Sequence, residues 1–185
     1  MMGRVEAMAM NMHVSPLESV EIPSLKGRVS EEEWKVRVDL AAAYRLIAHY
    51  GWDDLIFTHL SARIPGPEHH FLLNPYNLMF EEVTASSLVK VDTAGNPVEP
   101  TPFITNPAGF TIHSAIHMAR DDAQAVMHLH TPAGQAVAAH SEGLLPLTQT
   151  AMLIRGECSF HDYEGVAVDC RSASAWSRTS ARRTR

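Results

Sequence analysis

The sequence predicts an α/β fold, or a mixed α+β relative of it, with one sheet covered by helices. Three observations carry this: a capped amphipathic helix over residues 30–51, strand and turn signals between 55 and 97, and a helix–strand–helix succession from Asn106 to His140.

The first helix is announced by Ser30 followed by Glu31, Glu32 and Glu33, a capping-box arrangement. Val36, Leu40, Ala43, Ile47 and Tyr50 then recur at spacings of four and three, and Gly51 stops the helix. Leu55 to Ile64 is a half-polar run ending at Pro65-Gly66-Pro67, and Phe71 to Leu73 reads as its short hairpin partner. Ser87 to Val91 reads as another strand, and Thr93-Ala94-Gly95-Asn96 as the turn after it.

Asn106-Pro107-Ala108 opens a second helix, with Ile112, Ala115, Ile116 and Ala119 on one side and His113 and His117 on another. Ala125 to His130 alternates as a strand, putting Val126, His128 and His130 on one face. Pro132 starts a further helix to about His140, and Leu144 to Leu153 adds a last apolar stretch.

A chain of 185 residues, 45% hydrophobic, buries one core and is too short for two. The expected organisation is a flexible arm over 1–28, one domain over 29–170 and an Arg/Ser-rich tail over 171–185. The net charge is −6, but the last fifteen residues hold five Arg and no acid, which leaves −11 on residues 1–170. An acidic body excludes a phosphate-tracking nucleic-acid binder. No run of about 18 apolar residues reaches the length of a membrane span, and residues 1–20 lack the apolar centre of a secretory signal. With two cysteines twelve positions apart, no disulfide framework is implied, and the cytoplasm is the expected compartment.

Several chemistries are excluded for want of parts. The chain holds no Gly-x-Ser-x-Gly elbow, no phosphate-cradling Gly-x-x-x-x-Gly-Lys loop and no Gly-x-Gly-x-x-Gly turn. His113 and His117 have metal-capable spacing, but Ser114 stands where a metalloprotease helix needs glutamate. They read as a satisfied pair at a helix surface or core edge. Asp53-Asp54 and Glu81-Glu82 read as solvated turn charges.

His128-Leu129-His130 is the most informative triplet. Residues two apart on a strand project from one face and can bring two imidazoles to one metal ion. The pair is a partial site, and two partly exposed strand histidines give the same pattern.

The order of segments resembles the class II aldolase/adducin family. The likeness runs through Asp53-Asp54-Leu55-Ile56-Phe57-Thr58-His59-Leu60-Ser61-Ala62-Arg63, Leu73-Asn74-Pro75-Tyr76, and Thr84 to Asp92. It continues in Asn106-Pro107-Ala108-Gly109-Phe110, Ile112 to His117, Val126 to His130, Leu144 to Thr150 and His161 to Gly165, covering roughly residues 32–169.

The resemblance implies a three-layer α/β/α fold around a largely antiparallel central sheet, and, in the sugar-phosphate aldolase members, a zinc ion at a subunit interface of a homotetramer. His128 and His130 fall on two zinc-ligand positions, so Zn2+ or another divalent metal is the implied cofactor. His59, Ser61 and Asn74 are the implied contacts for a small-molecule carbonyl substrate. The family's acid/base glutamate lies nineteen residues before the first ligand histidine, where this chain has Gly109. A third histidine ligand follows the pair by about sixty residues in a His-Gly segment, and no such segment follows His130 here. The tail reads as out-of-frame translation, so a shortened copy with weak or absent aldol turnover is expected. The alternative is a non-catalytic, adducin-like module associating with actin or the cytoskeleton, for which glycine at position 109 speaks.

Overall fold

The computed structural model describes residues 21–162 and 165. The tail expected over 171–185, and residues 1–20 of the arm, lie outside the described residues. In the described part of the arm, Ile22 packs on the core and the Leu25 N–H donates to Ser86 Oγ at 3.0 Å.

Helix α1 spans Glu31–Tyr50 and begins as its sequence dictates: Ser30 Oγ accepts from the Glu33 N–H, three glutamates occupy the first turn, and Gly51 closes the end at φ 64°. Its inward stripe differs from the expected one. Leu40, Ala41, Tyr44 and Ile47 are buried, but so are Glu33 and Arg37, whereas Tyr50 is exposed. Apolar periodicity missed the charged residues because their burial depends on remote partners. Glu33 Oε1 accepts from Arg37 at 2.8 Å, Glu33 Oε2 from Lys90 at 2.8 Å, and Arg37 donates to the Leu88 carbonyl at 2.8 Å.

Four short strands follow the hairpin reading: β1 His59–Arg63, β2 Phe71–Leu73, β3 Val89–Val91 and β4 Ala125–His128. They form one wholly antiparallel sheet in the order β3-β2-β1-β4. Leu55 to Phe57 forms a turn and not the expected start of β1, with Leu55 at φ 52°. Ser61 pairs with Leu73 and His59 with His128, so alternation assigns every strand residue to a face.

Leu60, Ala62 and Leu72 point toward α1 and join Leu40, Tyr44, Ile47, Phe80 and Val83 in the core. The opposite face carries His59, Ser61 and Phe71 and is covered by α2, Pro107–Ala119, whose His117 ring stacks on Phe71 at 4.9 Å. Helix, sheet and helix make the expected α/β/α sandwich, and the shorter α3, Pro132–Ala139, and α4, Gln149–Arg155, follow β4.

Tyr44 fastens α1 to β1 directionally. Its hydroxyl accepts from the Leu60 N–H at 2.7 Å, lies 2.5 Å from the Leu60 carbonyl, and stands 2.9 Å from Asn74 Oδ1. Full burial pushes the phenol's pKa far up, so the hydroxyl stays neutral.

Candidate functional site

Three elements bring six histidine and serine side chains together under α2. Period two on β1 puts His59 and Ser61 on the α2 face, and i, i+4 spacing on α2 aims His113 and His117 down at them. The register places His128 directly across from His59. His130 lies just past the end of β4, where its ring still turns back onto His128.

The side chains form one unbroken row. Asp54 Oδ2 lies 2.8 Å from His130 Nδ1, His130 Nε2 3.2 Å from His128 Nε2, and His128 Nδ1 3.1 Å from His59 Nε2. His59 Nδ1 then lies 2.9 Å from His113 Nε2, His113 Nδ1 2.7 Å from Ser61 Oγ, and Ser61 Oγ 2.8 Å from His117 Nε2. His117 Nδ1 ends the row 3.0 Å from the Ala123 carbonyl oxygen.

Burial keeps the inner rings neutral. It lowers the pKa of His59 to about 3, with His128 and His130 adding to the effect, and that of His117 to about 4 against the opposing pull of the Ala123 carbonyl. His113 is pushed well below the ordinary imidazole range, again mainly by burial, and His128 is lowered by burial and by His130.

For neutral rings the proton positions follow from the ends. A carbonyl only accepts, so His117 carries its proton on Nδ1 and accepts Ser61 Oγ–H at Nε2. Ser61 therefore accepts from His113 Nδ1–H, His113 Nε2 from His59 Nδ1–H, and His59 Nε2 from His128 Nδ1–H. At the other end the Asp54 carboxylate accepts from His130 Nδ1–H. His128 thus turns an unprotonated Nε2 toward the Nε2 of His130, 3.2 Å away.

A hydrogen on one of the two Nε2 atoms satisfies this contact, and so does a metal ion held between two neutral rings. Two imidazole nitrogens on one tetrahedral zinc, at Zn–N about 2.0–2.1 Å, stand about 3.3 Å apart. The donor set therefore fits two ligands of such an ion. Among the described residues no group of three or more His, Cys, Asp or Glu side chains converges as a complete metal cage.

Of the residues expected to contact a small molecule, His59 and Ser61 join the row and are 2% and 1% exposed, while Asn74 lies across the sheet against Tyr44. The structure corrects the placement of His113 and His117. They are hydrogen-bonded, as expected, but fully buried, because Ser61 and His59 supply polar partners that helix spacing cannot reveal. Asp54 is an exposed charge in a turn segment, as expected, and is in addition the partner of His130. The signal for Asp54 was available in the rule that a ligating histidine gives its second N–H to a carboxylate or carbonyl.

Gly109 packs close under the ring of His59. A Cβ there would meet His59 Cγ and Cδ2 at 3.0 Å and Nδ1 at 3.2 Å.

Comparison with known proteins agrees with this architecture. The model for the class II aldolase and adducin N-terminal domain matches residues 38–181. A Caulobacter vibrioides protein assigned by name to the class 2 aldolases is 66% identical over 146 residues, covering 79% of this chain and 57% of that protein. Alpha-adducin of Rattus norvegicus is 48% identical over 136 residues, covering 72% of this chain and 18% of adducin. The crystal structure of an aldolase II superfamily protein from Pseudomonas syringae superposes with TM-score 0.81 at 51% identity, over 85% of this chain and 64% of that one. The chain thus spans little more than half the length of the class 2 relatives it matches.

Proposed function

We infer the function from one premise: the chain belongs to the class II aldolase and adducin N-terminal domain family. The reading best supported is a metal-binding, small-molecule protein of aldolase type, with His128 and His130 as ligands to Zn2+ or another divalent ion. The observation that carries it is the pair of Nε2 atoms 3.2 Å apart, each ring held by a partner on its other nitrogen. A bound ion would supply Lewis-acid polarisation of the oxygens of a hydroxy-carbonyl compound.

The chain's own residues set what that site can do. Asp54 orients His130 and His59 orients His128, so both Nε2 atoms stay turned toward each other. Position 109, the acid/base position in the sugar-phosphate aldolases, is glycine and cannot move a proton. Aldol turnover is therefore weak or absent in this chain, and a substrate that needs only polarisation suits the site better. A homo-oligomer and a cytoplasmic setting accompany this reading. Among the described residues, no helix is long and apolar enough to cross a membrane.

Glycine at position 109, with the 48% identity to alpha-adducin, favours a second reading, a non-catalytic adducin-like binding module with actin or the cytoskeleton as partner. Elemental mass spectrometry on the purified protein separates the two. About one zinc or other divalent ion per chain, lost in a His128→Ala/His130→Ala variant, supports the first reading and justifies an aldol substrate screen. Metal-free, well-folded wild type that cosediments with filamentous actin supports the second.

A further inference from the structure

We propose that His59, His113, Ser61 and His117 are positioning residues, a one-way hydrogen-bond relay that holds the proton of His128 on Nδ1 and so keeps its Nε2 lone pair free for the metal. The inference rests on the reading of His128 and His130 as ligands and extends it to four side chains behind that pair.

An imidazole alone is ambiguous, since either nitrogen can carry the proton. A ligand histidine with its proton on the metal-facing nitrogen cannot coordinate, so a site gains affinity when the second nitrogen is given a fixed acceptor. Most such acceptors are carbonyls or carboxylates, which define the direction by themselves. Here the acceptor of His128 is a third imidazole, His59 Nε2 at 3.1 Å, which could equally well donate. The direction must come from elsewhere.

It comes from the Ala123 carbonyl at the far end. Each link, His117 to Ser61, Ser61 to His113, His113 to His59, spans 2.7–2.9 Å and has one donor and one acceptor. Reversing any one of them puts two protons or two lone pairs face to face in a buried space, and an unmade buried hydrogen bond costs about 1–3 kcal/mol. The reversed row would also aim an Nε2–H of His117 at Ser61 and leave a bare Nδ1 against the Ala123 oxygen. Between the Ala123 carbonyl and His128 only one register satisfies every link, and in it His59, His113, His117 and His128 all carry Nδ1–H.

Burial keeps water from supplying a substitute partner: Ser61 and His113 are each 1% exposed, His59 2% and His117 0%. Gly109 adjoins the same device: a Cβ there would meet the His59 ring at 3.0–3.2 Å and press on it by a few tenths of an ångström.

The test uses the full chain, 15N-labelled and metal-free, with a long-range proton–nitrogen spectrum of the imidazoles. Zinc affinity by chelator competition is measured beside it for wild type, Ser61→Ala, Ser61→Thr and the His128→Ala/His130→Ala variant. The expected spectrum shows Nδ1–H on His59, His113, His117 and His128. Ser61→Ala is expected to weaken zinc binding about tenfold, the size of a lost outer partner, and to mix the tautomers of His59 and His113, while Ser61→Thr restores both. Nε2–H on His59 or His113 in wild type, or equal zinc affinity in wild type and Ser61→Ala, overturns the relay. Should Ser61→Ala fail to fold, the wild-type spectrum decides alone. If wild type binds no zinc, or the double histidine variant binds as well as wild type, the metal reading itself falls and the relay's role with it. That failure is told apart by the tautomers, which are read without metal.

Discussion

His59 fills the space into which a side chain at position 109 would grow: a Cβ on Gly109 would lie 3.0 Å from its ring, and the ring is pinned through both nitrogens. A neighbour held this way can shift by the few tenths of an ångström that contact requires only by straining those two bonds.

Gly109→Ala should therefore cost about 1 kcal/mol in wild type, although alanine is the better helix former by about 0.5–1 kcal/mol. In a His59→Ala background the same change should become stabilising. Urea denaturation of the two single variants and the double variant measures the coupling, and an unchanged sign would refute the steric account.

Acid should destabilise the protein through its buried imidazoles. His117 has a folded pKa of about 4 against an ordinary value of 6.5, so below pH 6.5 the unfolded chain takes up a proton that the folded chain refuses. The stabilisation is fully present above that value and is lost progressively as the pH falls toward 4. For this ring alone the loss is on the order of 3 kcal/mol. The thermal midpoint should fall by roughly 6–12 °C over that window, and His117→Asn should flatten the fall by close to one proton. Equal slopes in the two proteins would show that His117 is not the group responsible.

Asp54→Asn removes a charged acceptor from His130 Nδ1 without touching the core, since Asp54 is about half exposed. Zinc affinity should drop about 10-fold or more while stability changes by less than about 0.5 kcal/mol. Chelator competition and urea melts report the two separately, and undiminished affinity would remove Asp54 from the site.

Tyr44→Phe should cost about 2 kcal/mol, because the Leu60 backbone and Asn74 both lose a buried partner. Asn74→Ala should destabilise through the same bonds yet leave zinc affinity at the wild-type value. A shift in that affinity would bring Asn74 back toward the site from which the sheet separates it.

Much of this was legible in the residues. Ser30 and Gly51 bound α1 because caps act through neighbours in sequence, and the pairing of Phe71 to Leu73 with β1 follows from one turn. His128 and His130 were visible as a pair for the same reason, two positions apart on one strand. What local spacing could not show depends on contacts far apart in the chain. His59 meets His128 across 69 positions and Asp54 meets His130 across 76, and buried Glu33 has, besides Arg37 one turn on, Lys90 from 57 residues away to neutralise it. Polar side chains read as surface until the fold supplies their partners.

The Glu33–Arg37–Lys90 network and the Tyr44 hydroxyl, about 10 Å apart along α1, fasten the helix to the sheet at two points. Greasy contact alone tolerates a helix that slides or rolls by a fraction of a turn, since apolar atoms accept many neighbours equally. Directional bonds at two stations do not. They index α1 against β3 at one end and β1 at the other, so the strand that carries His59 and Ser61 is gauged from behind by a rigid rule. The tolerance to which the histidines meet on the front of the sheet is set on its back.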